Sequence, residues 1–585
     1  MNVINVAIPV VRGRMSLTVD KGRPWSVVEH IILEALTTKT WTAAELAAAG
    51  KLPRRIVMES CARLMRAGWA ELLQDEQSVC FRATPRGKEV ACHDELPNAM
   101  ERRKRTASYV VDLVTNELFR GRAWVVHDEK ALRSRAKTEP FVWIKALDEI
   151  DYEPNKLIDL LLDDDETFVH AEPSGPAHRW AVATVKDGIV DGLPTGAPLA
   201  ALRHAVLAAA AKASSEPTTA DATFSVSAPR TGISDTPEIH DISFEPSDLV
   251  LGAEAHRNTI KQAFACARTN VFVHSTFISE DHFLALLPEI SGAILRGVGV
   301  HVLWGQNEDT DRVASTKVAI AKIRKNKAVT ALGPLLVIHP FSTGSHAKLI
   351  VGDFGDDDKY VAVIGSCNWL ASGFYSYEAS VRLHDPSIVR NIAEYLARMS
   401  CLRRGVWSEL ATQLTSISQK LRAAKSSSPS NGYASVVIGA QHNHFVLRAR
   451  DEAQHRALVL SHKLGPVSGP GILTPLMAAV RQRDINARVF YGAIRKPMNS
   501  QAANRLAVDA ADIGVALNAI HHPRVHAKVV AWDDDAIAIS SLNWLSADAT
   551  ELDSLNEIGI EITAPGAAKA FFDNFEGVLN QNGSI

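Results

Sequence analysis

Ser345-His346-Ala347-Lys348-Leu349-Ile350-Val351-Gly352-Asp353 is the stretch that decides the fold of this chain, and Val525-His526-Ala527-Lys528-Val529-Val530-Ala531-Trp532-Asp533 repeats it 180 residues later. Each copy is followed by a short polar segment, Gly365-Ser366-Cys367-Asn368 after the first and Ser540-Ser541-Leu542-Asn543 after the second. A histidine and a lysine two positions apart in an apolar run point to the same side of a β-strand. The sequence therefore predicts two equivalent surfaces, each with an imidazole, an ammonium, a hydroxyl and an amide.

The two motifs occupy matching places in a longer internal repeat. Ahead of each motif, short apolar runs alternate with stretches of helical periodicity. This alternation predicts α/β layers with largely parallel central strands. The expected strands are Val271–His274, Val298–Trp304 and Leu335–His339 in the first copy, and Ala457–Ser461 and Ala487–Tyr491 in the second. A helix over Leu402–Ala424 is expected to join the two halves.

The residue types of the repeat suit phosphoryl transfer without a metal ion. One histidine can attack phosphorus in line while the other protonates the leaving oxygen. Lysines and amides can stabilise the charge on the equatorial oxygens, a task that other enzymes give to magnesium. The intermediate would be a phosphohistidine, and the acid of the first step would activate water in the second.

The paired motifs resemble the signature of the phospholipase D superfamily, HxKx4D followed by GSxN, which occurs twice per active site. The first copy fits completely, and the second differs only in having Ser540 at the glycine position. The resemblance covers residues 237–585 and implies a pseudo-twofold α/β/α sandwich with halves at 237–425 and 426–585. It implies a phosphodiesterase without metal or cofactor. The catalytic residues that it implies are His346, Lys348, Asp353, Ser366, Asn368, Glu378, His526, Lys528, Asp533, Ser541, Asn543 and Glu557.

The resemblance also suggests how these residues divide the work. An acidic residue orients each histidine in this superfamily, and Glu378 and Glu557 match it. The family precedent makes His346 the expected nucleophile and His526 the expected general acid. Within the set, Asp353 and Asp533 are expected to support the fold or cap a turn more than to touch substrate.

Helix and strand signals follow a regular order near the N-terminus. Helices are expected at Trp25–Thr37, Thr42–Ala49 and Pro53–Ala67, and a hairpin at Ala70–Leu73 and Val79–Ala83. Thr42 can cap the second helix together with Glu45. This order resembles a winged helix-turn-helix domain, a family that often binds DNA, and we assign it to residues 1–92. The residues expected to contact nucleic acid are Arg54, Arg55, Arg63 and Arg66 on the third helix.

The segment between these units carries no recognisable chemistry. Residues 93–213 are expected to form a mixed α/β middle domain of unknown role, in which Arg102–Arg105 opens a helix and adds a basic patch. Residues 214–236 are rich in Ser, Thr, Ala and Pro and predict a linker. The predicted fold class is multidomain α/β, with a winged helix, a mixed middle domain and a tandem sandwich.

The composition narrows the compartment and the partners. A formal net charge of −3 gives no global field for a polyanion, so any nucleic-acid surface must be a local patch. The six cysteines show no CxxC or CxxH spacing, which argues against a structural zinc and indicates reduced thiols. Neither a secretion signal nor an apolar run long enough to cross a bilayer is seen. We therefore expect a cytoplasmic protein without a membrane partner.

Three functions are compatible with these features. A nuclease, most simply an endonuclease that cleaves DNA, is the leading hypothesis because the winged-helix pattern points to nucleic acid. Nucleases of this superfamily include bacterial anti-phage enzymes, so the resemblance suggests antiviral defence as a setting. The alternatives are a phospholipid-hydrolysing phospholipase D and a subunit of a larger DNA-processing or defence complex that docks through the winged helix. Because one chain holds both motifs, a monomer can complete the site; a homodimer or a partner subunit is equally compatible.

Overall fold

The computed structural model describes most of the chain in separate stretches. These are residues 3–22, 25–74, 79–93, 96, 101–146, 153–163, 165–186, 188–194, 199–215, 223–224, 237–305, 311–356, 359–401, 408–424, 426, 429–547 and 557–581. Over these stretches, no helix has the length and apolarity needed to cross a membrane.

The chain opens with one long strand, β1 (Val3–Lys21), and then forms a small helical unit. The elements of this unit are α1 (Val27–Thr38), β2 (Trp41–Thr42), α2 (Ala43–Gly50), α3 (Arg54–Arg66), β3 (Ala70–Gln74), β4 (Val79–Ala83) and α4 (Pro85–Val90). The three helices and the hairpin lie where the sequence predicts them, and the strands pair in the order β2-β4-β3. Thr42 caps α2 as expected, because its hydroxyl accepts the N–H of Glu45 and the Glu45 carboxylate accepts the N–H of Thr42.

Strand β1 belongs to a larger sheet that is completed after the helical unit. The remaining elements of this region are β5 (Glu101–Asp112), β6 (Leu118–Arg120), β7 (Val126–His127), α5 (Glu129–Arg135), β8 (Phe141–Ile144), α6 (Pro154–Leu161), β9 (Glu166–Lys186), β10 (Ile189–Asp191), α7 (Ala200–Ser215) and β11 (Thr223–Phe224). Strand β1 lies between β5 and β9 and is antiparallel to both. Residues 3–21 therefore pack with the middle of the chain, and the boundary expected at residue 92 does not separate two consecutive units. Most of the linker expected at 214–236 falls outside the described residues.

The basic run Arg102–Arg105 lies in strand β5, where we predicted the start of a helix and a basic patch. Its side chains form ion pairs with carboxylates, most of them on other strands of the same sheet. The pairs are Arg102 with Asp20, Arg103 with Glu101, Lys104 with Glu172 and Arg105 with Glu166. These partners are distant in sequence except for Glu101, so local periodicity could not reveal them. The positive charge of the run is matched by carboxylates and offers no basic patch.

Residues 237–581 form two mixed sheets flanked by helices. The elements up to the middle of this region are β12 (Ile239–Ile242), β13 (Leu249–Leu251), α8 (Ala253–Cys266), β14 (Asn270–Ser275), α9 (Glu280–Ala285), α10 (Leu287–Leu295), β15 (Gly299–Trp304), α11 (Asp311–Lys325), α12 (Lys327–Thr330), β16 (Leu336–Ile338), β17 (Leu349–Gly352), β18 (Val361–Gly365), β19 (Ala379–Leu383), α13 (Pro386–Ser400) and α14 (Glu409–Ala423). Those that follow are β20 (Gly432–Ile438), α15 (Asn443–Glu452), β21 (Arg456–Leu464), α16 (Thr474–Arg483), β22 (Asn486–Ile494), α17 (Ser500–Ala511), β23 (Val515–Ala519), β24 (Val529–Trp532), β25 (Ala536–Ser540), β26 (Ile558–Thr563) and α18 (Ala567–Gln581).

The two sheets repeat one strand order. The first runs β13-β19-β18-β17-β14-β15-β16, and the second runs β20-β26-β25-β24-β21-β22-β23. In each sheet the last three strands are parallel and the others are antiparallel. We expected largely parallel sheets, but within β17–β19 and within β24–β26 each strand pairs antiparallel with the next along the chain. Strand β12 pairs with β20 and so extends the second sheet, although it precedes the first half in sequence.

One core joins the two halves. Ile364 of β18, Ile539 of β25 and Ile560 of β26 are fully buried in the same apolar cluster, to which α13, α14 and α18 also contribute. Helix α14 additionally contacts β9 of the N-terminal sheet, where the Thr412 hydroxyl donates to the carbonyl of Ala171 at 3.2 Å. It occupies most of the helix predicted at 402–424. Because this core is shared, the motif ends of the two sheets are held in one place.

Candidate active site

Each motif lies at the edge of its sheet where the parallel strands end. The motif histidine and lysine come just before β17 or β24, in extended chain rather than inside the strand as we expected. The N–H of Gly365 donates to the carbonyl of Lys348 at 3.3 Å, and the N–H of Ser540 donates to the carbonyl of Lys528 at 3.0 Å. These bonds hold each motif beside the strand that delivers its serine and asparagine.

Each histidine is paired with the glutamate of the opposite half. His346 Nδ1 lies 3.0 Å from Glu557 Oε1, and His526 Nδ1 lies 2.9 Å from Glu378 Oε1. A main-chain hydrogen bond joins the halves at the same point: the N–H of His526 donates to the carbonyl of Tyr377 at 2.9 Å. We expected these glutamates to orient the histidines, and the structure adds that the pairing is exchanged. The two motifs therefore form one site.

The two serines hold the glutamates in place. The Ser366 hydroxyl donates to Glu378, and the Ser541 hydroxyl donates to Glu557. Each serine oxygen also accepts, at 3.1 Å, the main-chain N–H of the residue that follows its glutamate. All four side chains are buried. This arrangement makes the serines positioning residues that act on the histidines through the glutamates.

Both motif lysines are fully buried beside the histidines. Each ammonium donates to the carbonyl of its own motif histidine, and Lys348 also donates to the hydroxyl of Thr276 at 2.8 Å. Burial lowers the pKa of Lys348 to about 7 and that of Lys528 to about 8, although the two buried glutamates oppose this effect. A bound anion would restore the charged form of both lysines, so this site is suited to a phosphate.

The two histidines differ in their electrostatic surroundings. Burial lowers the pKa of both, and the charge of Glu557 opposes this for His346. For His526 the next influences after burial are the two motif lysines, so its pKa lies well below the usual value. Although burial raises it, the charge of His346 holds the pKa of Glu557 at about 2, whereas burial raises the pKa of Glu378. A proton in the site is therefore more stable on His346 than on His526.

Asn368 and Asn543 complete the set at equivalent, half-buried positions. The Oδ1 atom of each is enclosed and has no hydrogen-bond partner within the described part of the chain. Buried polar atoms in proteins are normally partnered. A half-turn of the amide would present its NH₂ group at the same place, where it could donate to a phosphoryl oxygen. Both asparagines are thus available to a ligand.

Asp353 and Asp533 lie at the far ends of the motif strands. Seven residues, roughly 20 Å of extended chain, separate each of them from its motif histidine. Asp353 accepts main-chain N–H groups of residues 268–270 at 2.9 to 3.3 Å, and Asp533 accepts those of residues 454–456 at 2.8 to 3.2 Å. Both fasten the loops that enter β14 and β21. Asp353 and Asp533 therefore lie away from the other residues that the resemblance implies to be catalytic. They bind loop N–H groups, which is the turn-capping role that we expected.

His462 is a site residue that the motif pattern alone does not identify. It is half-buried, and its ring centroid lies 4.8 Å from that of His526. Burial, followed by the charges of His526 and Lys528, lowers its pKa to about 2, so it is neutral at physiological pH. Strand register places Thr276 at the equivalent position of the first half. Aligning the two halves by the register of their paired strands identifies His462. That register comes from the structure, so the sequence alone does not provide it.

A second pair of histidines is buried beneath the site, one in each half. His256 and His442 are fully buried, and their Nε2 atoms lie 2.9 and 2.7 Å from buried serine hydroxyls. Their rings lie 5.4 and 5.6 Å from those of Trp369 and Trp544. Each of these tryptophans packs within the core of its own half. Across the described residues, no group of three or more His, Cys, Asp or Glu could hold a metal ion.

The arginines predicted to contact nucleic acid are not equivalent. Three of them are exposed on α3, namely Arg54, Arg55 and Arg66. Arg63 instead donates to the buried carboxylate of Glu29, and its guanidinium carbon lies 4.8 Å from the ring centroid of Trp25. This contact holds α3 against α1. Arg63 is therefore a structural residue, and the exposed face of α3 carries the other three.

The sequence pattern of a known family matches the first half of the site. Residues 260–400 match the family described as cardiolipin synthase, PLD-like domain. This stretch is a phospholipase D-like domain. It includes His346, Lys348 and Glu378. The second sheet repeats the strand order of this domain.

Several solved structures match parts of the chain at low sequence identity and low TM-score. Phosphatidylserine synthase of Haemophilus influenzae Rd KW20 is 14% identical with a TM-score of 0.40, and the match covers 59% of this chain and 88% of that one. Polyphosphate kinase of Porphyromonas gingivalis is 11% identical with a TM-score of 0.32, over 57% of this chain and 49% of that one. NucT of Helicobacter pylori is 16% identical with a TM-score of 0.18, over 28% and 94%. These TM-scores are too low to bear on the substrate. No curated protein matches the sequence.

Proposed function

We propose that this protein is a metal-independent phosphodiesterase, and specifically a nuclease that cleaves DNA through a phosphohistidine. The observation that carries the proposal is the exchanged pairing of His346 with Glu557 and of His526 with Glu378. Each carboxylate binds Nδ1, which directs the proton to that nitrogen and leaves Nε2 for chemistry. Two imidazoles prepared in this way on facing halves suit attack and departure on opposite sides of one phosphorus atom.

The reaction then proceeds in two balanced steps. In the first, Nε2 of one histidine attacks phosphorus, a P–N bond forms, the P–O bond to the leaving group breaks, and the other histidine gives its proton to that oxygen. In the second, water attacks phosphorus, the P–N bond breaks, and the second histidine takes the proton of the water. Lys348, Lys528 and the two asparagine amides stabilise the charge on the remaining oxygens.

DNA is the substrate class that the N-terminal unit favours. Three helices, with β2 between the first two and the β3–β4 hairpin after the third, and a sheet in the order β2-β4-β3 suit a winged helix. The exposed Arg54, Arg55 and Arg66 on its third helix could contact phosphates. We propose that this unit brings DNA to the site. Lipid phosphodiesters are the alternative, because the matching family is described as cardiolipin synthase.

Cleavage assays in excess EDTA test the proposal. End-labelled single-stranded DNA, double-stranded DNA and RNA would be incubated with the full chain, alongside phosphatidylglycerol vesicles. We expect DNA cleavage that persists in EDTA and disappears in His346→Ala and in His526→Ala. The matched control is His455→Ala, an exposed histidine that enters β21 at the opposite edge of the sheet. Cleavage that survives both motif substitutions, or vesicle turnover without DNA cleavage, would overturn the proposal.

A further inference from the structure

The two halves carry different side chains at the edge where the site opens. Ser275 and Ser461 are equivalent, because each hydroxyl accepts the N–H of a leucine that follows the motif asparagine by two residues. Two residues beyond these serines stand Phe277 in the first half and Lys463 in the second. The pseudo-twofold symmetry of the catalytic residues therefore does not extend to their surroundings.

The first half contributes an aromatic edge, made of Phe277, Phe341 and Tyr375. The ring centroid of Phe277 lies 6.4 Å from that of His346. Phe341 follows the end of β16, and Tyr375 comes two residues before Tyr377, whose carbonyl binds the His526 main chain. Phe341 is 55% and Tyr375 is 83% exposed. Among the side chains whose burial the structure describes, no other Phe, Tyr or Trp is exposed.

The second half contributes a cationic edge, made of Lys463, Arg495, Lys496 and Arg524. Lys463 lies at the end of β21, Arg495 and Lys496 follow β22, and Arg524 follows β23. Parallel strands end at one edge, so these residues are neighbours of the motif. Arg495, Lys496 and Arg524 are exposed, and Arg495 also donates to the carbonyl of Ser546 at 2.6 Å.

We infer that the cleft binds a single-stranded polynucleotide, with its bases against the aromatic edge and its phosphates along the cationic edge. This inference rests on the proposed nuclease function and specifies its substrate. Exposed rings beside cations are the arrangement on which unpaired bases stack while the backbone is neutralised. A duplex keeps its bases stacked inside and cannot place them on the rings. A phospholipid offers one phosphodiester to this row of cations, whereas a strand offers a phosphate at every nucleotide.

Fluorescence anisotropy on the full chain tests the inference. The protein carries His346→Ala and His526→Ala, which prevent cleavage. It also carries Arg54→Ala and Arg55→Ala, which reduce binding by the N-terminal unit. The probes are a labelled oligothymidylate, an abasic deoxyribose-phosphate strand of the same length, and a duplex. We expect the oligothymidylate to bind roughly 10-fold more tightly than either of the others, since each stacked base contributes measurably to affinity.

Substitutions on the two edges should have different effects. Phe341→Ala and Tyr375→Ala should remove the advantage of oligothymidylate over the abasic strand. Lys496→Ala and Arg524→Ala should weaken both strands equally and lower the slope of log K against log salt by about 0.7 per lost contact. Lys569→Ala, an exposed lysine on α18, is the control.

Two results would overturn the inference: unchanged oligothymidylate affinity in Phe341→Ala and Tyr375→Ala, or duplex binding as tight as that of the single strand. Failure of the nuclease proposal is a separate result, since it means that the wild type cleaves no nucleic acid in EDTA. Equal cleavage of duplex and single strand would contradict only the inference about the strand.

Discussion

Glu557 in the second half of the site lies 3.0 Å from Nδ1 of His346 in the first. Since Glu557 is an influence that raises the pKa of His346, Glu557→Gln should lower that pKa and leave the ring of His526 nearly unaffected. Titration of ¹⁵N-labelled imidazoles by NMR measures both. Glu378→Gln is the matched variant and should act on His526. If Glu557→Gln shifted His526 instead, the exchanged pairing would be wrong. Either substitution should reduce kcat by roughly 10²- to 10⁴-fold, because the imidazole loses its orientation.

The buried lysines should set the alkaline limb of the pH profile. Their pKa values of about 7 and about 8 lie below the usual lysine value because of burial, so each loses its charge as the pH rises through that value. The charge that stabilises the transition state is then lost, and kcat/KM should fall up to about tenfold per pH unit between about pH 7 and pH 8, and up to about 100-fold per unit above about pH 8, where both lysines lose their charge. Lys528→Arg keeps the charge and should move its part of the limb upward in whatever activity remains. A profile that stays flat to pH 10 in the wild type would contradict this assignment.

Asp353 and Asp533 should matter for stability and not for chemistry. Asp353→Asn weakens several hydrogen bonds to main-chain N–H groups of the loop before β14 and should cost about 1–3 kcal/mol. Thermal unfolding should occur at a lower temperature, while kcat of the folded protein stays close to that of the wild type. His346→Ala is the reverse control, with kcat lost and unfolding little changed. A loss of kcat of about 10³-fold in Asp353→Asn without destabilisation would show that Asp353 takes part in catalysis.

The arginines of α3 should separate into two classes. Arg63→Ala leaves the buried Glu29 carboxylate without its partner and should destabilise the helical unit by about 3–5 kcal/mol. Arg54→Ala and Arg55→Ala should leave thermal unfolding unchanged, weaken DNA binding and reduce its salt dependence. Binding at several salt concentrations and unfolding of the same preparations distinguish these effects. A stable Arg63→Ala protein that loses DNA binding would show that Arg63 contacts DNA.

Local sequence patterns predicted many of the helices and the residues of the site. The remaining features depend on pairing between strands that are distant in sequence. The helices from Val27 to Arg66 depend on caps and periodicity within a few residues, so the sequence shows them. The motif repeat likewise predicts which side chains meet. By contrast, Arg102–Arg105 form a strand because β1 and β9 supply pairing and carboxylates, which no local window contains. The exchanged glutamates and the place of His462 follow from how two sheets face each other, and a single copy of the motif does not encode that.

The charges around the histidines predict which of them attacks. Glu557 favours a proton on His346, whereas burial and then the charges of Lys528 and Lys348 hold the pKa of His526 well below its usual value. His526 should then be the nucleophile and His346 the general acid, the reverse of the order that the resemblance implies. His346→Ala then lacks both the acid of the first step and the base of the second, so it should neither form the covalent intermediate at a useful rate nor hydrolyse it.

Trapping that intermediate tests the central claim most directly. A DNA substrate with ³²P at the scissile phosphate would be mixed with the enzyme in EDTA, quenched in alkali, and the labelled peptide mapped by mass spectrometry. We predict one acid-labile phosphohistidine, on His526, absent from His526→Ala. Label on His346 would reverse only the roles of the two histidines. Cleavage with no phosphohistidine at either position would contradict the account of a composite two-histidine site.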